Sequence, residues 1–414
     1  MRIGLLTAFS AMLDHYSVTA VVMGQLRMIH HAGHTPVLIG LEDFNWPDAP
    51  DWVEIRAGLP VWKKTDYMSL CDITPDDIEV AKKASRWMAG NLGDLDALFS
   101  HDILFTGWNL PLNIGLQDAT PFFPFPHLHW VHSVPGGAMR DYWRVPPGGK
   151  LVYPNSQDRI RVAEHFHTWQ ENVLVIPHSK DPREFMIRTD LARRLLTEYN
   201  VLSADLIQVY PIPTDRFEAK GCLEVLEVFG QLKRAGKTVR VIFCNAWCTT
   251  DERRKDVKFL INHAFDQGLT DTEVVFTSRF APEHEVGVSQ DVVQDLMQIA
   301  NLFICPSKSE SFGYCVAEAA LNGQLLVLNQ NLPMFQEVAG SGNALHFTFG
   351  SYQQDLKYDD KIKFFRDMAR IIIHTMDSDH ALRAKTFFRQ QYRWENIWSK
   401  IHYALLAQPT LVRV

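Results

Sequence analysis

Short apolar runs recur along this chain, and each is followed by a stretch with apolar residues at helical spacing. Arg2 to Ala8, Pro36 to Leu41 and Leu151 to Tyr153 are such runs. Asp205 to Tyr210, Val239 to Cys244, Glu273 to Thr277 and Asn301 to Cys305 repeat them further on. A strand that is apolar on both faces belongs in a parallel sheet with helices on each side. Between the first two strands lies Thr19 to His31, with Val21, Val22, Leu26, Met28 and Ile29 at helical spacing and a stop at Ala32-Gly33. Such β-α-β units bind ligands at the carboxyl ends of their strands. No G-x-G-x-x-G follows the first strand, so a dinucleotide site is not expected there. The fold class is α/β.

At 414 residues the chain has room for two domains, and 46% hydrophobic with 21% charged residues is a globular composition. The net charge of −7 is uneven: residues 1–185 carry 15 basic and 21 acidic side chains, the remainder 26 and 27. An acidic first half argues against a polyanionic acceptor, which makes nucleic acid an unfavoured partner. Cys71, Cys222, Cys244, Cys248, Cys305 and Cys315 fall mostly in apolar stretches without paired CxxC spacing. They read as reduced core thiols, so the expected location is cytoplasmic. The first apolar run is short and reaches Asp14 and His15 without a cleavage site, which favours a buried strand over a signal peptide. No run approaches the roughly 18 apolar residues that span a bilayer, so any membrane contact is expected to be peripheral.

Chemistry concentrates in Cys305 to Ala319, where a strand ends, a Ser-rich loop turns and a helix begins near Ala317, stopping at Asn322-Gly323. Glu310 lies in the loop and Glu318 in the helix. Eight residues of helix would separate them by ~12 Å, too far to share a proton but suited to gripping two parts of one long ligand. Free amides near Ser311, Phe312, Gly313 and Tyr314 would sit at a positive helix end, which favours phosphate. Two solvated glutamates are the plainer alternative. Upstream, Arg216 and Lys220 stand at the entrance of another helix, where two cations and free amides suit a diphosphate.

The spacing Glu310, seven residues, Glu318, with Phe312-Gly313 between them, resembles the E-x7-E signature of family 4 retaining glycosyltransferases of the GT-B fold. The flanks Cys305-Pro306-Ser307 and Asn322-Gly323 agree, as does Glu337 after the next strand. Val173 to Phe185 resembles the family segment that closes the first domain, with His178-Ser179 where relatives carry Asn-Gly. Arg216 and Lys220 resemble the family's R…K-G pair, although relatives have one more residue between them. The Gly-Gly pair of the first loop is replaced here by Ala11 to Ser17. The resemblance implies two Rossmann-like domains facing an interdomain cleft: 1–186 for the acceptor, 187–393 for the nucleotide sugar, and 394–414 as a helix packing back on the first domain. It also implies an Arg-rich linker near Arg188, Arg193 and Arg194.

By the same resemblance Glu310 and His132 are catalytic. Arg216, Lys220 and the amides of Ser311 to Tyr314 hold the donor diphosphate, Glu318 the ribose, and Ser278 and Arg279 border the base. Ser10, His15 and His101 are the acceptor-side expectations. His127 and His129 share one strand face; a metal reading lacks a nominated third ligand, and buried strand histidines are common. The implied activity is retaining transfer of a hexosyl or pentosyl group from a UDP- or GDP-sugar, without cofactor or metal. The acceptor would be a hydroxyl of a carbohydrate, lipid-linked or other compound. Glycosylation of modified nucleic-acid bases, phosphorylase or epimerase chemistry, and non-catalytic binding of sugar nucleotides are the alternatives.

Overall fold

The computed structural model describes residues 1–13, 15–63, 65–133, 136, 139–340, 342–354 and 356–407; Asp14 of the first loop lies outside them. The chain is α/β and has two Rossmann-like compact units, 1–180 with 392–414, and 181–391.

The first unit runs β1 (Arg2–Leu6), α1 (Ser17–His31), β2 (Thr35–Leu41), β3 (Glu54–Leu59), α2 (Pro75–Asn91), β4 (Ala97–His101), α3 (Leu110–Ala119), β5 (His127–Trp130), β6 (Lys150–Tyr153), α4 (Arg159–His165) and β7 (Val173–Val175). Its seven strands are parallel in the order β3-β2-β1-β4-β5-β6-β7. Strand order therefore reverses between β1 and β4. Connections leave those two carboxyl ends in opposite directions and leave a crevice there. The runs read as continuous are buried on both faces: Leu6, Leu98, Met88 and Leu116 pack on one side, Ile3, Leu5, Leu26 and Phe99 on the other. Edge strand β3 alternates instead, with Ile55 and Ala57 exposed between the half-buried Glu54, Arg56 and Gly58, as a half-covered strand does.

The second unit opens with α5 (Pro182–Phe185) and α6 (Asp190–Glu198). The Arg-rich stretch expected to be a linker is folded into this unit. Ile187, Ala192, Leu195 and Leu196 join its core, and the buried Arg183 guanidinium donates to both oxygens of Asp181 at 2.8 and 2.7 Å. Then follow β8 (Leu206–Pro213), α7 (Cys222–Arg234), β9 (Val239–Ala246), α8 (Asp251–Asp266), β10 (Val274–Phe276), α9 (Gln290–Ile299), β11 (Leu302–Cys305), α10 (Tyr314–Leu321), β12 (Leu325–Asn329), α11 (Met334–Ala339), β13 (Leu345–Phe347), α12 (Lys361–Ser378) and α13 (His380–Gln391).

Two parallel ladders result, β10-β9-β8 and β11-β12-β13. They meet along β8 and β11, where side chains supply the missing ladder. The fully buried Gln208 donates Nε2 to Ile304 O at 2.9 Å and accepts the Ile304 N–H at 3.0 Å. Asn301 accepts the Ile207 N–H on its side-chain Oδ1 at 2.9 Å, and its own backbone N–H donates to Ile207 O at 3.1 Å. In chain order the six strands read 3-2-1-4-5-6, with a second reversal between β8 and β11.

After Gln391 the chain re-enters the first unit. There α14 (Trp394–Leu406) buries Ile397, Ile401 and Leu405 beside Val22, Leu26 and Ile29 of α1, and Glu395 meets His31 at 3.0 Å. Among the described residues no helix is long and apolar enough to cross a membrane.

Gln208→Leu should strip two buried backbone groups of their partners. Loss of ~2–4 kcal/mol in urea unfolding is expected, and a loss under ~1 kcal/mol would contradict the stitch.

Candidate functional site

Two crevices follow from the two reversals of strand order, one in each unit. The one in the second unit gathers most of the residues singled out in the sequence.

After β8 the chain makes a tight turn through Thr214–Arg216 and enters α7 at Gly221. Gly221 has φ +69°, and a Cβ there would meet Pro306 Cγ at 2.6 Å and Pro306 O at 2.9 Å. Only glycine satisfies both the backbone and the approach of the loop that follows β11. Lys308 N–H donates to Ala219 O at 2.8 Å, and the Tyr210 hydroxyl to Lys220 O at 2.8 Å. These contacts bring Lys220 and Glu310, ninety residues apart in sequence, into a direct ion pair. Both side chains are mostly buried, at 24% and 16% exposed, so their interaction is less screened than a surface pair.

The helix α10 begins at Tyr314, ahead of the start near Ala317 read from the sequence; Gly313, at φ +78°, is its N-cap and supplies no side-chain bond. The backbone N–H groups of Ser311, Phe312, Gly313, Tyr314 and Cys315 donate to no described residue. Phe312 and Tyr314 are exposed and meet edge to face at 5.3 Å. An uncapped helix start beside a lysine is an anion-favouring arrangement. Glu318, one turn further on, accepts from Gln290 Nε2 at 3.1 Å.

The remaining expectations for this unit fall less centrally. Arg216 is exposed and makes no side-chain bond among the described residues. Ser278 is buried, its Oγ accepting from Asn245 Nδ2 at 2.9 Å and its N–H donating to Asn245 Oδ1 at 3.2 Å, so its hydroxyl already serves the turn. Arg279 is exposed and lines a cavity of about 690 Å³ with Lys258, Phe265 and Phe280. Glu337 is exposed in α11.

In the first unit, His101 ends β4 and His132 follows β5, and they meet. His101 Nδ1 lies 3.0 Å from His132 Nε2, with the rings within 11° of parallel and their centroids 5.2 Å apart. His132 Nδ1 lies 3.4 Å from His178 Nε2. Both ring nitrogens of His132 are thus taken, which competes with the expectation that it presents one to a sugar. His178, which the sequence offered only as a departure from a motif, completes the row. Asp102 adjoins it: Oδ1 accepts the His132 N–H at 2.9 Å, and its backbone has φ +54°, rare for a residue with a side chain. Ser10 is exposed and lines a cavity with His101, whereas His15 is exposed and does not line it. The His127 and His129 pair is accounted for by hydrogen bonds, His127 Nδ1 to His129 Nε2 at 2.9 Å and His129 Nδ1 to Ser100 Oγ at 2.8 Å.

Burial keeps these imidazoles neutral. It pulls His127 down to about 4 and His132 down to about 3, lowers His178, and drives His101 and His129 well below the usual value. Burial pushes the Asp102 carboxyl the other way, up to about 6, against the His132 amide that lowers it.

No family model matches the chain, and no curated protein matches it. Solved structures give loose superpositions over the whole length. A glycosyltransferase from Rickettsia africae aligns at 12% identity and TM-score 0.37, covering 99% of each chain. HepE of Anabaena in complex with UDP aligns at 14% identity and TM-score 0.34, covering 98% of this chain and 100% of that one. The UDP-forming trehalose-phosphate synthase of Burkholderia xenovorans, in complex with glucose-6-phosphate, aligns at 13% identity and TM-score 0.36, covering 98% and 100%. Superpositions this loose carry no statement about activity.

The neutral histidines set an acid limit. The unfolded chain protonates them near pH ~6.5, while in the folded chain His127 holds out to about 4 and His132 to about 3, so their stabilisation is complete above pH ~6.5 and is lost as pH falls below it. Each histidine contributes about 1.4 kcal/mol per pH unit, and Asp102, protonated first in the folded state, offsets one of them between about pH 6 and pH 4. Urea unfolding of the first unit should therefore come at lower denaturant at about pH 5 than at about pH 7.5, and a flat profile would contradict this.

Proposed function

We propose that the chain is a glycosyltransferase that takes a sugar from a nucleoside diphosphate sugar held in the second unit. The observation that carries this reading is the convergence of Lys220 and Glu310 at the reversal between β8 and β11, beside the free amides of Ser311 to Cys315. A diphosphate is a leaving group that gathers negative charge as the glycosyl bond breaks. A lysine ammonium and preorganised N–H donors stabilise that charge more as it grows. Donor binding would replace Glu310 by phosphate oxygens as the partner of Lys220. Glu310 is then released to accept from hydroxyls of the transferring sugar and to favour positive charge at its anomeric carbon.

Glu318 is proposed for the ribose hydroxyls, with Gln290 orienting its carboxylate. Arg216, which makes no side-chain bond among the described residues, is proposed for the distal phosphate. Arg279 borders the base in this reading, while Ser278 acts through its backbone, its hydroxyl being held by Asn245. UDP and GDP remain equal candidates on these contacts. Retention at the anomeric carbon is proposed from the E-x7-E resemblance, with His132 as a positioning group in the first unit. In the overall step the acceptor O–H proton passes to the departing phosphate oxygen, a new C–O bond forms at the anomeric carbon, and the old C–O electron pair leaves with the phosphate.

Lys220→Ala should lower turnover at subsaturating donor by ~10-fold or more, the effect of a lost charge-assisted contact. Glu310→Gln should lower transfer by ~100-fold while nucleotide-sugar binding partly survives. Release of nucleoside diphosphate measures both, and unchanged rates in both variants would remove this site.

A further inference from the structure

Neither the fold nor the ion pair accounts for Trp247, which follows the carboxyl end of β9. Its backbone lies in the left-handed region, at φ +59°, and the residue is 60% exposed. The other described non-glycine residues with positive φ are Asp102, His167 and Asn200, of the three types that adopt it most readily. A bulky side chain there is an outlier.

The surroundings over-determine that angle. Fully buried Asn245 accepts the Ser278 N–H on Oδ1 at 3.2 Å and donates Nδ2 to Ser278 Oγ at 2.9 Å and to Thr214 Oγ1 at 3.1 Å. The Thr214 hydroxyl in turn donates to Ala246 O at 2.6 Å. The chain ends leaving β8, β9 and β10 are thereby pinned around the residues just before Trp247. On its other side, Trp247 and Cys248 donate their N–H groups to Val286 O at 3.2 Å and Glu285 O at 2.7 Å. Backbone strain of this kind persists where the structure holds it, and it collects at ligand sites. Packing does not repay it here, because most of the residue meets solvent.

Its position says what could. Strand β9 is the neighbour of β8, at the ordinary spacing of about 4.8 Å, so Trp247 stands one strand outward from the Lys220 side of the crevice. Segment 285–290 ties it to the group proposed for the ribose: Val286 holds Trp247, and four residues on Gln290 Nε2 donates to Glu318 Oε1 at 3.1 Å. Four residues extend at most ~14 Å, which confines Trp247 to the neighbourhood of that carboxylate. An indole offers a flat π face. In a nucleotide sugar the transferring sugar lies across the diphosphate from the ribose, so the ring on the ribose side is the base.

We propose that Trp247 is the platform on which the donor's nucleobase stacks, presented by a strained backbone that the Asn245 network holds in place. The proposal rests on the glycosyltransferase reading for a nucleotide in this unit, and adds to it a residue outside the E-x7-E resemblance.

The full chain is titrated calorimetrically with UDP, GDP and inorganic pyrophosphate, unaltered and as Trp247→Gly, Trp247→Phe and Lys220→Ala. Glycine adopts the left-handed angle freely, so Trp247→Gly should unfold in urea at or above the midpoint of the unaltered chain. Its affinity for whichever nucleoside diphosphate the unaltered chain binds should fall ~10-fold or more, while pyrophosphate affinity stays within about twofold. Trp247→Phe keeps a flat face and should retain most of the nucleotide affinity. Lys220→Ala should instead weaken pyrophosphate and nucleotide together. Equal nucleotide affinity in Trp247→Gly would overturn the platform, as would a pyrophosphate loss as large as the nucleotide loss. A lower urea midpoint would also overturn it, by marking the indole as a packing residue. All three leave nucleotide binding by the unaltered chain intact. Failure of the donor reading shows differently, as no nucleotide binding by the unaltered chain, and overturns both.

Discussion

The junction of β8 and β11 depends on a side chain standing in for backbone. Two strands that begin oppositely directed halves of a sheet cannot keep a full ladder and also part at their carboxyl ends. Gln208 resolves this low in the sheet by donating to and accepting from Ile304. Higher up, Gly221 lies against Pro306, closer than any side chain would allow. The loops that leave the two strands are therefore held together at their roots, and this is why Lys220 and Glu310 meet. Enlarging Gly221 or emptying Gln208 would act on the ion pair without touching either of its members.

The two units divide their electrostatics. The second offers a lysine and a row of free amides, arranged for something negative. The first offers acceptors: a carboxyl raised to about 6, an orphaned amide oxygen and a column of neutral imidazoles. Each is built at a reversal of strand order, the place where a parallel sheet leaves polar chain ends uncovered. One fold principle is thus used twice, with opposite polarity.

Much of this was legible in the sequence because it is local. Continuous apolar runs announced parallel strands buried on both faces, and the spacing from Glu310 to Glu318 across Gly313 marked a strand-loop-helix turn. What stayed hidden is long-range. Gln208 looks like a polar interruption in a strand until Ile304 is placed beside it. Trp247 sits in a stretch with no motif, and its importance arises from a backbone angle that no residue pattern announces. His132 was visible as a strand-end histidine, yet the occupation of both its nitrogens depends on His101 and His178, thirty-one and forty-six residues away. The stretch around Arg188, Arg193 and Arg194 joins the second unit through the apolar residues between its charges, Ile187, Ala192, Leu195 and Leu196, while Arg188 and Arg194 stay exposed.

The most direct measurement is calorimetric titration of the chain with UDP- and GDP-sugars at low and high salt. One of them should bind, compete with inorganic pyrophosphate, and weaken as salt screens the diphosphate from Lys220 and its neighbouring amides. Binding that ignores pyrophosphate and salt, or no binding by any nucleotide sugar, would contradict an anion held between the ends of β8 and β11.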